Sequence, residues 1–372
     1  MVSNVRVKGK QGIMAVNDSL RTLTIQHAHF IEQYKTEEVK RVLALMNKAD
    51  VSLRRQIVKK KGATSVITKN RLQAIREDIK ESIKDSKLIL KERLENTALE
   101  FGKFETLWLG DIIKVTVPSD IPVSLVHATP SQILGAVRAR PFNNTTLQSM
   151  VEEWGLKKKN VLINHVQQAF VQGQSLDDVV RTLFGTRAMN YTDALLDGTR
   201  REIRTQVRTA LNHMSSTARE VTYEKNQDLM KGVQWVSTLD GKTTLLCMNL
   251  DGKVDLYDGS VRELNGMRPP AHYNCRSTTV PVLKSLQEMG ISEEGFTPST
   301  RASMNGQVAE TKTYATWFKD QPKKFQKQVL GQKRYELYNS GELTLDKFLD
   351  NGRTLTIKEL YSKYDLSSGS SK

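Results

Sequence analysis

Residues 233–254 read VQWVSTLDGKTTLLCMNLDGKV, and here the texture of the chain changes. Before them, apolar residues recur every three or four positions over long stretches, which is the period of helices. From Val233 onward the pieces are short: VQWVSTL at 233–239, GKVDLYDG at 252–259 and STTVPVL at 277–283, punctuated by Gly, Asn and Asp. Pieces rich in β-branched and aromatic residues and bounded by turn formers read as strands. The change predicts an α+β chain, predominantly α-helical, with long helices flanking a small mixed module that contains the β-structure.

Upstream, Leu20, Leu23, Phe30, Ile31, Tyr34, Val39, Val42, Leu43 and Met46 fit one bent helix or a helical hairpin, with Asn17 or Asp18 as N-cap. Leu72 through Phe104 fit a helix of about ten turns with coiled-coil-like spacing. VTVPSDIPVSLVHATPSQILGAVRARPFNN, residues 115–144, holds four prolines and reads as a hinge or extended connection. Helical pattern returns at 146–154 and 158–185, where Gly173 ends one helix and Ser175 with Asp178 opens the next. A further helix runs from about Tyr191 to Lys231. Ile203, Val207, Leu211, Met214, Ala218 and Val221 form its apolar face.

Downstream, 292–307 reads as a polar linker and 314–349 as a helical tail. Thr356 and Glu359 form a capping box, and DLSSGSSK at 365–372 reads as frayed. The expected organisation is an N-terminal helical arm or domain over 1–115, a proline-containing connection over 116–144 and a module over 145–290. A linker over 291–312 and a helical tail over 313–372 complete it.

At 372 residues the chain is long enough for two or three domains. Its 56 Lys+Arg against 41 Asp+Glu give a formal charge of +15, which attracts a polyanion or an acidic protein surface. The run Arg54, Arg55, Lys59, Lys60 and Lys61 and the stripe Arg200, Arg204 and Arg208 are the candidate contacts to DNA or to an acidic partner. Aromatics are 6% of the chain and are not interleaved with these runs, so contact would be to phosphate backbone rather than to bases. No run approaches the ~20 apolar residues of a membrane span, and the opening MVSNVRVKGKQGIMAVND lacks an apolar signal core. A soluble protein is expected. Two cysteines make no disulfide framework, which points to a reducing cytoplasm.

Phosphate-cradling glycine loops, dinucleotide fingerprints, H-E-x-x-H helices and nucleophile elbows are all missing from the sequence. What remains is Asp240, Cys247, Asp251, His272 and Cys275. His272-x-x-Cys275 offers two zinc ligands from one turn and Cys247 a third, with Asp240, Asp251 or water as the fourth. Thr244 and Ser277 stand where a paired zinc signature would place further cysteines. A second reading makes Cys275 a nucleophile activated by His272. A third, structural reading has His272, Asn274 and Arg276 hydrogen-bonding a tight crossing while the cysteines pack as small apolar residues. No cofactor is required by the sequence; zinc is the one it admits.

The stretch 233–254 followed by RPPAHYNCRSTTVPVL at 268–283 resembles the core of the phage Mu F-like, or phage head morphogenesis, family of minor capsid proteins. The resemblance falls on Trp235, Asp240, Thr243 or Thr244, Cys247, Leu250, Gly252, Lys253, Val254, Pro269, Pro270, His272, Cys275 and Arg276. Weaker similarity extends it to about residues 145–360. The resemblance implies a non-enzymatic minor capsid protein of a tailed double-stranded DNA phage that binds the portal and other head proteins. It would act in head assembly or genome delivery, inside the capsid near the portal and in the host cytoplasm during assembly. The alternatives are a zinc- or thiol-dependent enzyme centred on Cys247, His272 and Cys275, or a toxin cargo joined to a head module.

Overall fold

The computed structural model describes residues 13–62, 65–117, 123–189, 191–284, 300–309 and 312–366. The opening segment, the start of the expected linker and the expected frayed end at 367–372 lie outside the described residues. The chain is predominantly α-helical with small antiparallel sheets, an α+β fold. Helices α1 (Ile13–Lys59), α2 (Lys69–Thr116), α3 (Pro130–Ala139), α4 (Leu147–Val171), α5 (Leu176–Phe184) and α6 (Asp197–Glu224) come first. Strand β1 (Met230–Val236), helix α7 (Leu245–Leu250) and strands β2 (Val254–Leu256) and β3 (Thr278–Leu283) follow. The hairpin β4 (Thr300–Ser303) and β5 (Gly306–Ala309) leads to α8 (Tyr314–Lys319), α9 (Lys323–Leu330) and α10 (Gln332–Asn339). Strands β6 (Leu349–Asp350) and β7 (Arg353–Thr354) and helix α11 (Ile357–Lys363) close the described chain.

Several elements differ from expectation for physical reasons. α1 is one helix that starts before Asn17, so neither Asn17 nor Asp18 caps it. The Asn17 side chain instead accepts the Leu283 N–H at the end of β3, 3.0 Å away. Within the proline-rich connection α3 forms because Pro130 suits a first helical position and Thr129 and Gln132 complete a capping box. α6 begins only at Asp197, after Tyr191 has taken a positive φ of 62°. The end of the expected linker pairs as β4 and β5, Arg301 opposite Val308.

The described residues divide into two compact units, and α1, α2 and α6 contribute to both. One unit comprises those within Glu32–Glu105 and Ala128–Ala218. Its core gathers Leu53, Ile57, Ile75, Ile79, Ile83, Leu162, Val166, Val179, Leu183 and Phe184. Ile75, Ile79 and Ile83 stand one turn apart, the spacing that keeps a single face of α2 inward. The unit also buries charge in satisfied form. Lys158 meets Asp50 at 2.6 Å, and Glu38 accepts two bonds from Arg93 and one from Thr97.

The other unit comprises the described residues within Met1–Ile31, Thr106–His127 and Arg219–Lys372. Its three-stranded antiparallel sheet runs β2-β1-β3, with Val233 opposite Asp255 on one side and Pro281 on the other. Two apolar cores meet in it. One holds Leu109, Ile113, Tyr223, Val233, Trp235, Cys247, Leu250 and Cys275. The second holds Tyr314, Trp317, Phe318, Leu330, Leu337, Phe348 and Leu360 together with Leu239 and Met248. The six-residue α7 therefore serves both: Cys247 and Leu250 enter the first core and Met248 the second.

Candidate functional site

Cys247, His272 and Cys275 converge, with one ligand atom from each lying within 4.8 Å of the others. Cys247 is placed by α7, whose N-cap is Thr244: its hydroxyl accepts the Cys247 N–H at 3.4 Å. His272 and Cys275 come from one turn closed by Cys275 N–H to His272 C=O at 3.2 Å. Asn274 takes φ 58° there, a conformation Asn tolerates better than most residues, and this turns His272 and Cys275 toward the same space without a helix. The buried pair Pro269 and Pro270 leads into the turn.

The His272 ring is fixed by its outer nitrogen. Nδ1 lies 2.8 Å from the Tyr273 carbonyl, which can only accept, so Nδ1 carries the proton in the neutral ring. Nε2 then presents its lone pair to Cys247 Sγ at 3.1 Å and to the Thr244 hydroxyl at 3.0 Å. The two sulfurs are 3.8 Å apart and unbonded. They titrate as a pair. The hydrogen bond from Cys247 holds Cys275 well below the usual thiol range, and the same bond together with burial pushes Cys247 well above it. The Cys275 thiolate raises His272.

Asp240 does not join the cluster. It forms a two-pronged pair with Arg276 at 2.6 and 2.7 Å; burial alone would raise its carboxyl, but the guanidinium outweighs this and holds it below the usual range. Asp251 is also engaged, accepting the Ser237 N–H at 2.6 Å and the Tyr314 N–H at 2.8 Å. It thus joins the residue that follows β1 to the first turn of α8. Trp235 donates to the Ser237 hydroxyl at 2.9 Å, and that hydroxyl donates to the Cys247 carbonyl at 2.7 Å. Gly252 takes φ 83° while its N–H reaches the Trp235 carbonyl at 2.9 Å, a position where a side chain would be strained.

Residues 160–280 match the family model described as Phage Mu protein F like protein. Over these residues the chain is similar to that family. The match covers about a third of the chain and includes β1, α7, β2 and every residue from Trp235 to Arg276 named above. Residues 145–159 and 281–360, to which the sequence resemblance also extends, lie outside it. No curated protein and no solved structure matches the chain.

Inside the matched stretch, sequence reasoning missed Arg268, Glu220 and Asp255. Arg268 bonds Glu220 and Asp255 at 3.0 Å each, and Asp255 also accepts the Leu264 and Gly266 N–H groups. An arginine directly before a double proline was the available signal.

The basic residues separate into groups. Lys60 pairs with Asp78 and Lys61 with Asp177, while Arg55 and Lys59 are exposed. Arg208 pairs with Glu32, and Arg200 with the buried Asp50 at 3.2 Å. Arg54 and Arg204, far apart in sequence, line one cavity of about 410 Å³ with Arg200 and Arg201, their partners Asp50 and Asp197, and apolar residues that include Leu43, Val51 and Phe184. Neither Arg54 nor Arg204 has an ion-pair partner among the described residues.

Proposed function

We propose that this chain is a minor head protein of a tailed double-stranded DNA phage, non-enzymatic, that docks on the portal and other head proteins during head assembly or genome delivery. The observation that carries the reading is the Mu F-like match over residues 160–280, in a family of phage head morphogenesis proteins. A virion location inside the capsid, near the portal, follows from the same reading. The arginine-lined cavity supplies a docking point. Arg200 and Arg201 are paired with Asp50 and Asp197, while Arg54 and Arg204 stand beside the apolar lining with charge to spare, which suits an acidic segment with an apolar anchor on another head protein. Duplex phosphates follow a convex path and would engage such a hollow poorly.

A thiol enzyme is the weaker reading. Cys247 and Cys275 are buried, and the adjoining space of about 10 Å³ admits one water and no substrate. The toxin-cargo reading also loses ground, because α8 to α11 pack onto α7 as part of one core.

Quantitative mass spectrometry of purified full particles and of particles that have released their DNA tests the proposal. A few copies per portal in full heads are expected, and their loss on emptying would add a delivery role. Absence from both would overturn a virion role.

A further inference from the structure

We infer that Cys247, His272 and Cys275 bind one zinc ion that clasps α7 to the 268–276 turn, with a water as the fourth ligand. A tetrahedral ion with Zn–S bonds of about 2.3 Å places two sulfurs about 3.8 Å apart. The two sulfurs here stand 3.8 Å apart. The same geometry sets sulfur and imidazole nitrogen about 3.5 Å apart, against 3.1 Å here for Cys247 and His272. Closing the site asks the ring to back off by a few tenths of an ångström.

The partner of the other imidazole nitrogen supports the same assignment. A metal-bound histidine ordinarily gives its other N–H to a carbonyl or carboxylate, which fixes the tautomer. His272 does so to the Tyr273 carbonyl, leaving Nε2 as the ligand atom. The carboxylates offered by the sequence as a fourth ligand are committed elsewhere, Asp240 to Arg276 and Asp251 to two backbone N–H groups. Beside Cys247 and His272 lies a polar space of about 10 Å³, also lined by Thr238, Thr243, Thr244 and Ser277. That is about the room one water needs. Two thiolates and one imidazole are a soft donor set, which favours zinc over magnesium or calcium.

The protonation balance is definite. Metal is held by thiolates, so uptake releases to solvent whatever protons the two sulfurs carry. The ion would connect residues 25 and 28 positions apart in sequence. Its role is that of a structural cross-link, since the space admits water but no substrate.

The test uses the full chain, purified under reducing conditions without chelator and then dialysed against zinc. One zinc per chain by elemental analysis is expected, together with at least tenfold slower alkylation of both cysteines than in chelator-treated protein. Replacing zinc with cobalt should give the intense visible absorption of a tetrahedral thiolate site. Cys275→Ser and His272→Ala should each lower zinc affinity at least tenfold; the cobalt spectrum and the alkylation rates of the unaltered chain test the site without relying on the folding of either variant. Less than a tenth of an equivalent of zinc with unchanged alkylation would overturn the inference. So would stoichiometric copper in place of zinc, or a Cys247–Cys275 disulfide that forms as readily with zinc present as without it.

Discussion

At the scale of single residues, His213 links stability to pH. It is buried on α6, where its ring stacks on Phe142 and Nε2 meets the Val137 carbonyl at 3.2 Å. Burial, aided by Arg140, lowers its pKa to about 4 from the ordinary 6.5. Because the folded value is depressed, the unfolded chain takes up a proton first as the pH falls. The contribution is intact above pH 6.5 and is lost as the pH falls toward 4. At ~1.4 kcal/mol per pH unit this amounts to about 3 kcal/mol. Urea denaturation at steps between pH 7 and pH 4 should show that loss, and His213→Gln should flatten it. A variant profile that matches the parent would remove His213 as the cause. Cys247, His272 and Cys275 were legible in the sequence because such side chains are few and carry distinctive chemistry. Asp251 was noticed only as a spare metal ligand. Its acceptance of two backbone N–H groups depends on how α8 packs, which no local pattern announces.

At the scale of elements, the C-terminal helices are held by aromatic packing more than by charge. Trp317 is 1% exposed, stacks edge-on against Tyr314 and Phe325, and its indole N–H has no acceptor among the described residues. Trp317→Ala should therefore cost ~3–5 kcal/mol in chemical denaturation. Trp317→Phe should cost under about 1.5 kcal/mol, since no hydrogen bond is lost and most of the volume is kept. Equal losses for both would show that the indole is held by something other than shape. The long helices were legible because their apolar period persists over many turns. α3 was not, because four prolines in thirty positions suggest extension, whereas only one of them falls at a helix start and that one favours the helix. α1 ran past Asn17 because a distant N–H, that of Leu283, offered the side chain a better use than capping.

At the scale of the whole molecule, the charge of +15 dictates a measurable behaviour toward DNA. Any affinity for duplex should be independent of sequence and fall steeply with salt, by ~10³-fold or more between 50 and 200 mM if six phosphates are met. Fluorescence anisotropy with two unrelated duplexes checks this, and a preference for one of them would contradict contact to backbone alone. Arg54→Gln with Arg204→Gln should reduce capture of the portal or of another head protein by a larger factor than it reduces that DNA affinity. Composition made the polyanion attraction legible at once. The cavity was not legible, because Arg54 and Arg204 lie on different helices, and only folding brings the two stretches to one hollow.

α7 is six residues long, yet it offers apolar side chains to two cores. So short a helix has little cohesion of its own. It behaves as a shared rivet, and neither plate keeps its seam when the rivet is drawn. Selection on the tail is thereby also selection on the module. A lineage that dropped α8 to α11 would have to find Met248 and Leu239 a new cover in the same step.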